Sequence, residues 1–250
     1  MTSLAPAEAL ALAGLVIVAS YTVFGLTGFG SSITGVPFLV QLYPVRVVVP
    51  TMVVFDLCAG LLLATRQRAH LERREMVSLL PFIVVGMLVG ATLLVHAPER
   101  WLMLGLGAFV LLYAGSQLVA PASSRVASPR WAAPAGLVGG ALSALYGTGG
   151  PLYTMYLARR IVEPMRLRAT LAVLIFLSAL MRLVLFTGSG LLLQHAVWQL
   201  VLALAPCAAI GYVIGTRLHG RVSVTAARRC VWAVIVFGGL GMLVRGAALP

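Results

Sequence analysis

Ten apolar runs divide this sequence, and eight of them approach the length of a bilayer crossing: roughly 7 to 27, 47 to 65, 76 to 95, 101 to 119, 131 to 147, 169 to 187, 196 to 217 and 229 to 245. The other two, 32 to 42 and 151 to 159, are about half as long. A full crossing takes ~20 residues of helix at 1.5 Å each, and lipid offers the backbone no hydrogen bonds, so such runs must be helical. Hydrophobic residues make up 61% of the 250 residues and charged ones only 10%, with a mean hydropathy of +1.03. A surface cannot be covered with polar groups from that composition. The expected fold is all-α: a polytopic membrane protein with about eight full transmembrane helices plus two short half-membrane helices.

Charge supports the same class. The net charge of +12 would suggest a nucleic-acid partner in a soluble chain, but all eighteen basic residues are arginines and most lie between apolar runs. They are topology signals, and no nucleic-acid partner is expected. The first basic residue is Arg46, so the N-terminus lacks the charged region of a signal peptide, and 6 to 26 is read as a retained helix. Cys58, Cys207 and Cys230 stand inside apolar runs without CxxC spacing, and are expected to be small buried core residues rather than disulfide or zinc partners. His70, His96, His195 and His219 fall at loops or helix ends, so no metal and no cofactor is proposed. Without a nucleophile elbow, P-loop or kinase signature, the chain is not expected to be an enzyme.

Both short runs follow glycine-rich interruptions: Gly28-Phe29-Gly30-Ser31-Ser32, and 119 residues later Gly147-Thr148-Gly149-Gly150-Pro151. Glycine admits a solute to the backbone, and a helix starting just afterwards turns N–H groups and a partial positive charge towards it. Ser31 or Ser32 is the expected N-cap of the first short helix, and Pro151 the expected first residue of the second. The order long, short, long, long, long occurs twice. At an offset of 119, Gly28 and Gly30 meet Gly147 and Gly149, and Thr51 meets Thr170; at 125, Pro81 meets Pro206, Gly86 meets Gly211 and Gly90 meets Gly215. The last two pairs form GxxxG patterns, which let helices approach closely in lipid.

If the loop holding Arg66, Arg68, Arg73 and Arg74 is cytoplasmic, and each short run enters and returns with the helix before it, fourteen arginines fall inside and only Arg46, Arg100 and Arg245 outside. That count starts the first half outside and the second inside. The organisation predicted is therefore a first transmembrane repeat over 1–120, a cytoplasmic linker over 121–130 and a second, inverted repeat over 131–250. Inverted repeats with interrupted helices are a transporter plan, with the solute near the midplane.

The expected substrate contacts are Gly28, Gly30, Ser31, Ser32, Thr34, Gly147, Thr148, Gly149 and Gly150, since neutral donors bind an anion without demanding a counter-charge. Thr27, Gln41, Tyr146 and Tyr153 flank the same region. Asp56 is the one acid deep in an apolar run; ionised at the bilayer centre it would cost at least ~2.5 kcal/mol, so it is either a proton-coupling carboxylate or a structural partner of Arg182. Arg182 can itself bind an anion, pair structurally or snorkel to the interface, and the last two are favoured. Trp101, Trp131 and Trp198 border apolar runs as interfacial anchors.

Over nearly its whole length the chain resembles the sulfite exporter TauE/SafE family of membrane permeases. The likeness rests on Gly28-Phe29-Gly30-Ser31-Ser32 with Pro37 after it, Pro44 to Thr51, Gly147-x-Gly149-Gly150-Pro151 and Arg168-Ala169-Thr170. It implies a bacterial inner-membrane carrier of sulfite, sulfoacetate or related organosulfonates. The expected function is export of such anions by alternating access, with the substrate held near the midplane between the two glycine-rich breaks. The alternatives are a proton-coupled transporter of another small solute, an amino acid or a cation, and a membrane assembly factor. The expected partners are the small anion and the lipid bilayer, with a homo-oligomer left open.

Overall fold

The computed structural model describes residues 6–66, 71–119, 128–218 and 236–246, which form helices and turns with no strand among them. The long helices are α1 (Pro6–Thr27), α3 (Val45–Arg66), α4 (Arg73–His96), α5 (Glu99–Val119), α6 (Ala132–Tyr146), α8 (Pro164–Gly188) and α9 (His195–Leu218). The short ones are α2 (Ser31–Leu39) and α7 (Gly150–Leu157), and α10 (Val236–Gly246) closes the described chain. Among the described residues, five helices are long and apolar enough to cross a membrane: Ala7–Thr27, Val45–Leu62, Arg73–His96, Pro164–Gly188 and His195–Leu218. The protein is thus an all-helical polytopic membrane protein. The linker expected at 121–130 lies mostly outside the described residues; its last part is a 3-10 turn, Pro129–Trp131, entered from Ser128.

Helix starts and stops follow local chemistry. Pro164 opens α8 five residues before its apolar run, because proline's fixed φ suits a first helical turn and Arg166 and Arg168 extend the helix beyond the apolar part. α2 ends at Leu39, three residues short of its apolar run, in a turn where Gln41 and Leu42 donate to the carbonyls of Phe38 and Leu39. Inside the helices, hydroxyls turn back on their own backbone: Ser20 donates to Val16 O at 2.7 Å, Thr51 to Val47 O at 2.9 Å and Thr154 to Gly150 O at 2.8 Å. In an apolar medium this satisfies a group that would otherwise be costly.

The chain divides into two compact units, each drawing on both of its halves. The first comprises 1–52, 97–120 and 194–250, and the second 53–96 and 121–193. In the first, α1 packs along α9 and on α2, while α2 meets α5. In the second, α4 packs along α6, and α7 and α8 complete a core of Leu79, Ile83, Met87, Tyr153, Leu157 and Leu174.

The GxxxG patterns set both long contacts. A Cβ on Gly86 or Gly90 would run into the carbonyls of Leu137 and Ala141 on α6; one on Gly211 or Gly215 would run into those of Val18 and Thr22 on α1. Val18 and Thr22 are the residues that an offset of 119 pairs with Leu137 and Ala141. The same backbone contact, residue for residue, occurs once in each unit. Trp101, Trp131 and Trp198 stand exposed at or just before the first turns of α5, α6 and α9, as interfacial anchors do. The expectation for cysteine is corrected: Cys58 is exposed and Cys207 half-buried, and Cys230 lies outside the described residues. A thiol is apolar enough to face lipid, so an apolar run does not require it to be buried.

Candidate functional site

The two breaks fall one in each unit, and each is described by itself. In the first unit, Gly28 ends α1 with φ 82°, a left-handed conformation natural to glycine, and its N–H donates to Phe24 O at 2.7 Å. The Thr27 hydroxyl has two carbonyl acceptors within reach, Val23 O at 2.8 Å and Phe29 O at 2.5 Å. The N-cap of α2 is Gly30 (φ 97°), without a side-chain bond; the expectation of Ser31 or Ser32 is corrected, because both already lie inside the helix. Ser31, Ser32 and Thr34 are buried. Thr34 Oγ1 accompanies the first helical bond, Thr34 N–H to Gly30 O, by donating to the same carbonyl at 2.7 Å. At the far end of α2, the Arg245 guanidinium donates to Gln41 O.

In the second unit Gly147 (φ 75°) ends α6 in the same way, its N–H donating to Ser143 O at 2.8 Å. Buried Thr148 follows, its N–H reaching Leu142 O at 3.3 Å. Gly149 then departs from its counterpart Gly30: it is right-handed (φ −70°) and caps α7, with Gly150 as first helical residue and Pro151, expected first, one place later. What forces glycine at 149 is space. A Cβ there would lie 2.6 Å from Gly139 O, 2.8 Å from Ser143 Cβ and 2.8 Å from the Tyr153 hydroxyl.

Tyr153 packs against this break, and a charged pair lies in the same unit. The tyrosine is 1% exposed, and the Ser143 and Ser178 hydroxyls and the Arg182 charge all act on its hydroxyl. Arg182 is 2% exposed and gives Nη2 to Asp56 Oδ2 at 3.3 Å. Snorkelling is therefore corrected: the side chain turns inward to a carboxylate instead of outward to the interface. Arg182 Nε and Nη1 are buried with no hydrogen-bond partner.

The other end of α7 is tied down. Glu75, at the start of α4, accepts from Arg160 Nε and Nη2 at 3.0 and 2.5 Å through one oxygen and from the Tyr156 hydroxyl at 3.1 Å through the other. The Glu75 hydrogen bond holds the Arg160 guanidinium above its ordinary range. A raised guanidinium value means that the arginine's share of the stability is lost only as pH rises through the folded value, so it is intact at physiological pH. The neighbouring Glu72 receives Arg166 Nη1 at 3.4 Å and gives its N–H to Thr170 Oγ1.

Thus the structure sets Tyr153 against Gly149 and pairs Arg182 with Asp56, while Gly28, Gly30, Ser31, Ser32 and Thr34 stand in the other unit. Sequence reasoning passed over Ser143, Ser178 and Glu75. Ser178 was detectable as a hydroxyl one helical turn before the intramembrane arginine, on the same face. Glu75 was hidden among the charges that flank α4.

A family model, described as sulfite exporter TauE/SafE, matches residues 12–242. The chain belongs to that family. Among curated relatives it is 27% identical over 193 residues to the probable inner membrane transporter protein TsaS of Comamonas testosteroni, covering 76% of this chain and 80% of that one. It is 26% identical over 227 residues to the probable sulfite/organosulfonate exporter TauE of Cupriavidus necator, covering 87% of each. No solved structure matches at a significant level. As a member of the TauE/SafE family, the protein is a membrane transporter rather than an enzyme, and a multi-pass protein of a bacterial inner membrane.

Proposed function

We propose that the protein exports small sulfur-containing anions, sulfite, sulfoacetate or related organosulfonates, by alternating access. The observation that carries this reading is Arg182: a guanidinium buried in a membrane-length helix, with two nitrogens unpartnered although a carboxylate lies beside it. An intramembrane charge is expensive and marks a transport pathway more often than a scaffold. The family match and the relative named for sulfite and organosulfonates support the substrate class. Direction follows from the membrane potential, which favours outward movement of a monoanion by ~2.3 kcal/mol per 100 mV.

The proposed architecture is eight full crossings and two half-helices in two inverted repeats. The recurring glycine contacts at offsets of 119 and 125 support the duplication, and the arginine distribution supports the inversion. The test is flux from proteoliposomes loaded with sulfite, sulfoacetate, taurine or thiosulfate. We expect efflux of at least one, faster when the lumen is negative. Absence of flux with all four would overturn the assignment, and transport of an amino acid or cation in their place would favour the proton-coupled alternative.

A further inference from the structure

Three arginines stand apart from the rest. The count that puts fourteen in the cytoplasm leaves Arg46, Arg100 and Arg245 on the other side, where the topology of a membrane chain disfavours them. They lie far apart in the sequence, and the fold brings all three to one end of the first unit. Arg46, the second residue of α3, gives Nη2 to Ala97 O at 2.9 Å, three residues before Arg100 and next to the start of α5. Glu99 joins the same two segments, its Oε1 accepting the Val45 N–H at 3.1 Å. Arg245 comes from α10, which runs antiparallel to α5: Gly239 packs on Leu111, Leu243 on Gly107 and Gly246 on Leu104. A Cβ on Gly246 would lie 3.4 Å from Leu104 N, and Leu104 stands one helical turn, ~6 Å, beyond Arg100. Arg245 itself donates to Gln41 O, in the turn that leads to Arg46.

The three segments that meet here, 40–46, 97–104 and 236–246, contain three arginines and one acid, Glu99. Arg46 and Arg245 rest on backbone carbonyls, which satisfy hydrogen bonds without offsetting charge. Arg100 Nε is buried with no hydrogen-bond partner. All three arginines are half-buried, so water screens their mutual repulsion only in part. A guanidinium has donors and no acceptor, and the group that completes such an arrangement presents lone pairs and negative charge.

We infer that Arg46, Arg100 and Arg245 form an anion site at the end of the first unit that the arginine count assigns to the outside, and that it takes one oxyanion group, sulfonate or phosphate. The planar guanidinium fork suits the paired oxygens of either. Two sources offer that chemistry: a free anion on the outer side, and the headgroup of a phospholipid. Glu99 offsets one of the three charges, so the site suits a dianion such as hydrogen phosphate as well as a monoanion. Binding here does not depend on transport, and the site stands or falls apart from the exporter reading.

The test is thermal unfolding of the full-length protein in dodecyl maltoside, a detergent without phosphate, at constant ionic strength. Inorganic phosphate and methanesulfonate, each replacing chloride, probe for a free anion. Dioctanoyl phosphatidylglycerol, set against uncharged dioctanoylglycerol, probes for a headgroup. At least one of the three anionic probes is expected to raise the Tm saturably. Arg100→Gln removes a guanidinium whose Nε the fold leaves unpartnered, so it should keep the wild-type Tm in chloride while weakening the apparent affinity by about tenfold or more, the size of a hydrogen bond to a charged group. Arg245→Gln, on the other helix, should weaken it likewise. Arg130→Gln, at an exposed arginine of the second unit, should leave the rise unchanged. A rise with phosphate or methanesulfonate assigns a free anion, and a rise with phosphatidylglycerol alone assigns a lipid; either upholds the site. No rise with any probe, a rise that Arg100→Gln or Arg245→Gln leaves undiminished, or one that Arg130→Gln lowers equally would overturn it.

Discussion

Gly28 and Gly147 end α1 and α6 in the same left-handed conformation, each donating its N–H to the carbonyl four residues back. Two residues later the breaks part. Gly30 stays left-handed, and the nearest atom its Cβ would meet is 3.5 Å away, so dihedral angle alone demands glycine. Gly149 is right-handed, a conformation open to any residue, and glycine is demanded by the crowding of Gly139 O, Ser143 and Tyr153. Around the first break the hydroxyls of Thr27 and Thr34 close on local carbonyls; the second break packs against a buried tyrosine, in a unit that also holds the buried Asp56–Arg182 pair. The same glycine-led interruption thus occurs twice, with its second glycine demanded for a conformational reason in one unit and a steric one in the other.

The largest effect expected from disturbing this contrast is at Arg182. Arg182→Gln should lower stability by ~3–5 kcal/mol, because it leaves a buried carboxylate without its cation. Thermal unfolding in detergent should show most of that loss restored by adding Asp56→Asn. If the single variant is as stable as wild type, the pair is not desolvated as the geometry requires.

Gly149→Ala comes next. Overpacking against a backbone carbonyl and Tyr153 should cost ~1–3 kcal/mol, and Gly149→Asn should be no better. At Gly30 the order reverses: Asn, which tolerates left-handed backbone, should be better accepted than Ala. Equal tolerance of Asn at both sites would remove the distinction between a steric and a conformational glycine.

Glu75→Gln tests the anchored end of α7. Loss of the charged partner should cost about 1–3 kcal/mol, since Arg160 and Tyr156 both donate to that carboxylate. Hydrogen exchange of the α7 amides, faster in the variant than in the wild type, would confirm where the stability was held. Thr34→Val should have the smallest effect, about 1 kcal/mol or less in unfolding, because its hydroxyl bond stays within one helical turn. A larger loss would mean that the first break depends on that hydroxyl beyond α2.

Much of this arrangement was legible in the sequence. Apolar length determined the helices, because a backbone in lipid has no other way to satisfy its hydrogen bonds. Gly28 and Gly147 marked the interruptions, and the offsets of 119 and 125 marked the recurring glycines, because backbone shape is encoded by the few residues able to adopt it. The partners of those residues were not legible. Nothing local says that Gly86 and Gly90 lie against α6 while Gly211 and Gly215 lie against α1, or that Arg182 turns inward to an aspartate 126 positions earlier. Each residue turns a helix face by ~100°, and only packing chooses which face meets which helix. The same choice set the Tyr153 ring against Gly149, so the breaks belong to the sequence and their partners to the tertiary structure.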